Sequence, residues 1–453
     1  MTAARGGGLR DGGRGTIVLI GAGLGGSLMA NLLGRAGFAV RCFEMRPDPR
    51  RGPAPAGRSI NLALSARALH ALRVVDLADR VVDIGIPMRG RMIHDQAGRT
   101  AFQPYGTAPE HANLSVSRAE LNLALINAAE AQRDVGFQFG MKCEAIDADA
   151  RSATFTDAAT GRTVTASGDF IIGADGAFSA VRRRIQRQDR FDYQQSYLSH
   201  GYKELTIPPP PGGGFALDPN ALHIWPRGGF MMIALPNRDA SFTCTLFWPF
   251  EGANSFASLG SDAQVERFFA GVFPDAAALM PDLAAEYARN PVGSLVTIRC
   301  FPWRDRDRVV LLGDACHAVV PFHGQGANAA FEDCVVLDEC IREHGHDWGK
   351  AFAAYETRRK ENTDALADLS LANFREMRDH TGSRVFRLGK GLEKALYRLW
   401  PSRFMPLYMM ISFTRVPYAE AVRIARTQRH LLRALGGAAG LLLLALLLIL
   451  IGW

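Results

Sequence analysis

The residues best placed to do chemistry are glycines in one tight turn. Gly21-Ala-Gly23-Leu-Gly-Gly26 follows the apolar run Thr16–Ile20 and opens a helical pattern through Leu28, Leu32 and Leu33. The next apolar run, Phe38-Ala-Val-Arg-Cys-Phe-Glu44, reads as a second strand ending in an acid. Strand, G-x-G-x-x-G, helix, strand and acid together form a dinucleotide-binding fingerprint. Gly21 makes the turn, Gly23 lets the backbone approach a pyrophosphate, and Gly26 lets helix and strand pack closely. The helix start offers free N–H groups and a positive dipole end to the phosphates, and Glu44 stands where ribose hydroxyls would be held. Which dinucleotide binds is not fixed by this motif.

Two further turns share that logic. Phe170-Ile-Ile-Gly-Ala-Asp175-Gly176 ends a strand in an acid and leads into the helix start Ala177–Arg184. Val309-Val-Leu-Leu-Gly-Asp314 ends another, and Ala-Cys-His-Ala-Val-Val-Pro-Phe-His-Gly-Gln-Gly-Ala-Asn328 runs on to a helix beginning near Asn328. Each places a carboxylate at the C-terminal edge of a sheet, where α/β proteins bind ligands. Gly324 and Gly326 let the chain pass close to a flat ligand, toward which the helix start presents its positive end.

These turns need a sheet and helices to carry them, and the composition allows that. The chain has 453 residues, 21% charged and 48% apolar, so it is globular and long enough for roughly three domains. Its net charge of +7 is uneven: residues 375–433 hold 13 Lys/Arg and 4 Asp/Glu, residues 434–453 hold none, and the rest hold 39 basic and 41 acidic groups. A nucleic-acid binder should show a basic face on the folded body too. Seven cysteines without a C-x-x-C pair give no disulfide framework or zinc site, which points to a reducing compartment. The first fifteen residues lack an apolar core, so they read as a disordered lead-in. Ala434–Trp453 is uncharged, preceded by Arg423, Arg426, Arg429 and Arg433 and closed by Trp453. At ~1.5 Å rise per residue it would span a bilayer core, so a transmembrane anchor is expected, with Gly436 and Gly440 as a weak helix-pairing motif.

GAGLGG, GADGAFSAVR and GDACHAVVPFHGQGAN resemble the three flavin motifs of the FAD-dependent aromatic hydroxylases. No second G-x-G-x-x-G occurs, and in that family NADPH visits the FAD site transiently. Within the family, the stretches Arg58–Leu64, Pro87–His94, Gln103–Tyr105, His200–Leu205, Asn220–Trp225, Phe242–Phe247, Val320–Gly326, Asn373 with Met377, and Arg403–Tyr408 are similar to the branch that hydroxylates kynurenine. The resemblance runs from about Thr16 to about Ala425. It implies an α/β fold: a Rossmann-like FAD-binding domain of glutathione-reductase type (16–90 with 119–190 and 295–370) and an interleaved mixed or antiparallel β-sheet substrate domain (91–118 with 191–294). A helical region (371–433) and the expected anchor (434–453) complete it.

The resemblance also implies roles. Arg91 would take the substrate carboxylate with Tyr105; Asn373 and Tyr408 would bind its polar end. Leu222, Met231, Ile233, Phe247 and Met377 would line the aryl pocket, with Pro321, Phe322 and His323 beside the flavin. FAD would be held by Gly21, Gly23, Leu24, Gly26, Glu44, Arg46, Ala63, Arg118, Asp175, Asp314, Gly326, Ala327 and Asn328. The residues themselves say less. Arg89 and Arg91 would share one strand face, which is most often solvated. Asn373 and Met377 lie i, i+4 on one helical face. Tyr408 sits in the apolar MPLYMMISF and needs a hydroxyl partner if buried. Arg118, at a helix start, opposes the dipole, as a residue serving an anionic ligand would. Ala327, Cys316 and Phe374 depart from the family's usual Met, Ala and Tyr.

The implied reaction is hydroxylation of L-kynurenine to 3-hydroxykynurenine through a flavin C4a-hydroperoxide, with NADPH as reductant and O2 as co-substrate, on a membrane-anchored enzyme whose body is cytoplasmic. No metal and no nucleic acid enter; beyond the flavin no catalytic residue is assigned, with His323 a weak proton-relay candidate. Two alternatives stay open: a membrane-bound prenyl reductase or epoxidase of the same fold, and a non-enzymatic tail-anchored nucleotide-binding scaffold.

Overall fold

The computed structural model describes residues 14–52, 61–376, 396–401 and 403–450, the last part from residue 435 by backbone alone. The leader up to residue 13, Arg58–Ile60, Met377 and Trp453 lie outside the described residues. Four sheets organise the described residues. The first has the order β18-β19-β12-β1-β2-β8. Its strands are β1 (Thr16–Ile20), β2 (Ala39–Glu44), β8 (Val135–Phe139), β12 (Phe170–Gly173), β18 (Arg304–Asp305) and β19 (Val309–Leu311). All pairs are parallel except β18 with β19. Its central strands bury both faces, which is why β1 and β12 read as unbroken apolar runs rather than alternating ones. Helices α1 (Leu24–Arg35) and α4 (Arg118–Glu130) cover it on one side with α10 (Gly326–His344) and α11 (Trp348–Arg375) following.

A three-stranded antiparallel sheet of β9 (Met141–Asp147), β10 (Ser152–Asp157) and β11 (Thr163–Ser167) flanks this core, with α5 (Ala180–Ile185) against β9. A second small sheet, β3-β7-β4, joins β3 (Asn61–Leu64), β4 (Ile86–Met88) and β7 (Asn113–Ser117) beside α2 (Ala66–Val74) and α3 (Ala78–Ile84). The largest sheet has the order β17-β13-β16-β15-β14-β5-β6. It comprises β5 (Gly90–His94), β6 (Thr100–Pro104), β13 (Asp192–Ile207), β14 (Ala221–Pro226), β15 (Met231–Pro236), β16 (Phe242–Pro249) and β17 (Gly293–Phe301). β14, β15 and β16 pair antiparallel in succession. One face packs on α6 (Asp262–Val272), α7 (Pro274–Ala277) and α8 (Leu283–Arg289) through Trp225, Trp248 and Phe269; the other roofs the cleft. The short helix α9 (Asp314–His317) leaves the end of β19.

The C-terminal region folds back over α2 and α11. α12 (Leu407–Phe413) and α13 (Tyr418–Leu450) pack Met410, Ile411, Tyr418, Ala421 and Ala425 against Ala329 and Leu366. Among the described residues no helix is long and apolar enough to cross a membrane, so the anchor expected over Ala434–Trp453 is withdrawn, and membrane attachment with it. The uncharged run begins inside a helix that is already docked. Among its described residues only the first two turns bury side chains (Tyr418, Ala421 and Ala425), while Arg423, Arg426, Arg429 and Arg433 are exposed ahead of the uncharged run.

Candidate active site

The flavin-type turns meet at the C-terminal edge of the parallel sheet. Gly21 adopts φ +101°, and a Cβ there would lie 2.4 Å from the Ala174 carbonyl oxygen; at Gly26 it would lie 1.9 Å from that of Gly21. No side chain is tolerated at either place, so β1, β12 and α1 meet with only backbone between them. α1 starts at Gly23 without a side-chain cap or an acid in its first turn, and α10 starts at Gln325 in the same way. The two starts lie side by side: a Cβ at Gly25 would be 3.7 Å from that of Ala330, and Cys334 Sγ sits 3.2 Å from the Gly25 carbonyl oxygen. Two long helices thus present uncapped positive ends to one cleft, an arrangement suited to an anionic, extended ligand.

Glu44 closes this edge. It accepts from Ala22 N–H at 2.8 Å and from Arg46 Nε at 2.7 Å. Burial works to raise its carboxyl, but the Arg46 and Ala22 hydrogen bonds outweigh burial and hold it below the usual value. It is therefore a firm anion, able to accept from ribose hydroxyls. Leu24 is buried beside it, and Arg46 is mostly exposed at the rim. Arg118 opens α4 on the same side and is exposed. Asp314 starts α9 with its surface open to solvent but walled by the fold; burial raises its carboxyl, while His317 and Arg118 pull the other way. Open yet surrounded is what the floor of a deep cleft gives.

Two of the expected cofactor residues are engaged elsewhere. Asp175 accepts from Ser179 Oγ at 2.5 Å and from Ala180 N–H at 2.7 Å, so its carboxylate caps α5. Asn328 is fully buried, accepting from Ser65 N–H at 2.8 Å and donating to the Ala63 and Gly324 carbonyls at 2.9 and 2.8 Å. It ties the end of β3 to the loop before α10. Only backbone from this stretch, at Gly326, Ala327 and Asn328, is left to face a ligand.

The other wall is made of side chains. Arg91 lies on β5, and its guanidinium carbon is 4.9 Å from the Tyr408 ring and 5.9 Å from the Tyr105 ring. Those rings stack at 5.0 Å. Arg91 Nε is buried without a hydrogen-bond partner. Burial opposes its charge, but Tyr408, Tyr105 and Glu376 outweigh burial and hold the proton more firmly. The Tyr105 hydroxyl, itself buried, is driven well above its ordinary value and stays protonated. The Tyr408 hydroxyl accepts from Asn113 Nδ2 at 2.8 Å, which leaves its own hydrogen to donate. His323 stacks on Tyr408 at 5.8 Å; burial, with Arg91's charge beside it, pushes its imidazole down to about 4. It is neutral near pH 7, and its buried Nδ1 has no partner.

Next to this polar group is an apolar one. Met231, Phe247, Phe322 and Phe374 pack together, with Leu222 and Ile233 bridging to the cluster that holds Tyr105 and Tyr408. Phe322 stacks on Phe374 at 4.2 Å and meets Phe247 at 4.8 Å. Asn373 donates to the Phe322 carbonyl at 2.6 Å and so braces the loop Pro321–His323, in which Pro321 is exposed. A fixed cation with hydroxyl donors at one end of an apolar, aromatic slot fits a small aromatic molecule that carries a carboxylate.

Asn113 and Arg67 escaped the sequence reading. Arg67 of α2 is fully buried; it donates to the Thr414 carbonyl at 2.9 Å and to that of Val416, and lies 4.1 Å over the Tyr418 ring. Tyr418 in turn donates to Gln325 at 3.0 Å. Together they pin the segment carrying Tyr408 onto the flavin side. In ARALHALRV, which also carries His70 and Arg73, nothing local sets Arg67 apart.

The fold and cleft define a flavoprotein: the FAD binding domain family matches residues 14–370. Solved structures agree on architecture alone, as with 2-methyl-3-hydroxypyridine-5-carboxylic acid oxygenase (TM-score 0.66, 21% identity, 81% of this chain and 94% of that one). Within the class the chain belongs to the kynurenine 3-monooxygenase family. It is 49% identical to the kynurenine 3-monooxygenase of Salinispora tropica, over 95% of both chains. It is 47% identical to that of Myxococcus xanthus, over 90% of this chain and 88% of the other.

Proposed function

We propose that this protein is an FAD- and NADPH-dependent monooxygenase that hydroxylates L-kynurenine to 3-hydroxykynurenine with O2. The observation that carries the substrate reading is Arg91: a half-buried side chain whose enclosed Nε has no partner, walled by two tyrosines, at the end of an apolar slot beside the loop Pro321–His323. A prenyl or other lipid substrate would have no use for it, since an unpaired buried charge costs several kcal/mol (~3–5).

The residues that would hold FAD are the cradle Gly21, Gly23, Leu24 and Gly26, the side chains of Glu44, Arg46, Arg118 and Asp314, and the backbone of Gly326–Asn328. Bound there, it would supply the redox chemistry: hydride acceptance from NADPH and O2 activation. The chain's own residues bind and shield. Arg91 pairs with the substrate carboxylate, and Tyr105 and Tyr408 donate hydroxyl hydrogens to it. Leu222, Met231, Ile233 and Phe247 hold the aryl ring and exclude water, which protects the oxygenating cofactor from unproductive decay. His323, neutral, shapes the slot beside Arg91 without adding a second cation. The residues 16–90, 119–190 and 295–370 serve the cofactor, and 91–118 with 191–294 serve the substrate.

The test is NADPH oxidation by the flavin-loaded protein with and without L-kynurenine, coupled to detection of 3-hydroxykynurenine. Stimulated oxidation with matching product is expected; no stimulation and no product would reject the reading.

A further inference from the structure

The substrate sheet has a second face. In the register of β5 and β14, Arg91 pairs with Leu222 and Ile93 with Ile224. Alternation turns these toward the slot and turns His94, His223 and Trp225 toward α6–α8. There His94 Nδ1 lies 2.7 Å from Asp275 Oδ2, His94 Nε2 lies 2.8 Å from His223 Nδ1, and His223 Nε2 lies 2.8 Å from the Asp218 carbonyl oxygen. Both histidines are buried. Trp225 Nε1 donates to Asp275 at 2.9 Å, and its ring stacks on His94 at 4.1 Å.

The protons can be counted. The chain of contacts ends in a carboxylate and a backbone carbonyl, both acceptors. Three hydrogen bonds between them need three N–H hydrogens, and two neutral imidazoles bring two. Asp275 is a poor home for the third. Burial would raise its carboxyl, but His94 and Trp225 hydrogen bonds outweigh burial and hold it below the usual value. His223 is pushed down to about 4, chiefly by burial, so it stays singly protonated. The remaining charged neighbours are Arg227, which donates to the His94 carbonyl at 3.0 Å and to that of Asp95 at 3.3 Å, and the outer carboxylates of Asp95 and Asp218. Trp225 stacked on His94 is also a good partner for a cation.

We propose that the His94–His223 pair stores one extra proton, ion-paired with Asp275, and that this buried clamp positions Arg91 for the substrate carboxylate. β5 and β6 form one end of the sheet and join it through β14. Arg91 lies between two fastenings of β5: the Arg89 N–H bonded to the Asn220 carbonyl at 2.8 Å before it, and the clamp at His94 after it. When the pair loses its third proton, two nitrogen lone pairs face each other and one link opens. The clamp therefore holds while that proton is bound and is lost as rising pH removes it.

The kinetic half rests on the proposed kynurenine reaction; the proton itself does not. In flavin-loaded protein labelled with 15N-histidine, the expected NMR spectrum near pH 7 contains one ring with both nitrogens protonated, and Asp275→Asn removes that pattern. Singly protonated patterns for every histidine except solvent-titrating ones would overturn the stored proton. Asp275→Asn keeps the shape and an acceptor for Trp225, so mere packing predicts no kinetic change. The clamp predicts a KM for kynurenine raised about fivefold with kcat nearly unchanged, and loss of the wild-type rise in KM with pH. If that variant fails to hold flavin, the wild-type profile decides: a KM flat through the pH at which the doubly protonated ring disappears would overturn the positioning role. A wild-type protein with the stored proton but no kynurenine turnover would reject the reaction and leave the proton standing.

Discussion

In the proposed site, the flavin wall and the substrate wall recognise their ligands with different parts of the chain. On the flavin wall the recognising groups are main-chain N–H donors at the starts of α1 and α10, and the side chains nearby mostly hold that backbone still: Asp175 caps α5, and Asn328 bonds three backbone groups. On the proposed substrate wall the recognising groups would be side chains, Arg91, Tyr105, Tyr408 and the apolar set, drawn from β5, the end of β6, β14–β16, the Pro321–His323 loop and α12. A backbone site tolerates change in any residue that keeps the turn. A side-chain site tolerates none at its charge and much at its rim.

The sharpest way to break this comparison is Gly26→Val. A Cβ 1.9 Å from the Gly21 carbonyl oxygen cannot be absorbed by a side chain moving aside, so a loss above ~3 kcal/mol is expected. Flavin absorbance of the purified protein should nearly vanish; a normally yellow protein would show that the turn is not the cradle. Arg91→Ala should do the opposite, leaving the absorbance intact while KM for kynurenine rises roughly a hundredfold to a thousandfold, the equivalent of one buried charge pair. Unchanged KM would remove Arg91 from the substrate wall.

Arg67→Ala probes the link between the walls. Losing two hydrogen bonds and the Tyr418 contact should cost about 2 kcal/mol and lower Tm by roughly 2 °C. KM should rise more than flavin content falls, because Tyr408 rides on the freed segment. The smallest effect belongs to His323. Its folded value of about 4 lies below the unfolded value of ~6.5, so over that interval the unfolded chain binds the extra proton. Stability should therefore decline as pH falls from ~6.5 toward 4, and His323→Asn should flatten that part of the urea-midpoint profile.

The same contrast explains what could be read in advance. Backbone recognition demands glycine at fixed spacing between a strand and a helix, so GAGLGG and the Gly324–Gly326 loop were visible as chemistry. Arg91 was not: two arginines alternating on a strand look like a solvated face, and burial is decided by β14 and α12, more than a hundred residues away. The resemblance to aromatic hydroxylases supplied what spacing could not. Asn113, which orients the Tyr408 hydroxyl, carries no local signal because its partner lies across the fold. The C-terminal run misled for a related reason. Hydropathy counts the residues of a segment and takes no account of the docked, arginine-bearing turns of α13 that precede it.

The Arg67 clip also sets an order of events during synthesis. Every piece of the flavin cradle, from β1 through α10, leaves the ribosome before Thr414 and Val416, the two carbonyls that Arg67 holds. The cofactor's half of the cleft can therefore form while the segment that brings Tyr408 is still being made. A chain ending short of Thr414 would be a yellow protein with an unfinished clamp, open to water and unable to hold the molecule it should oxidise.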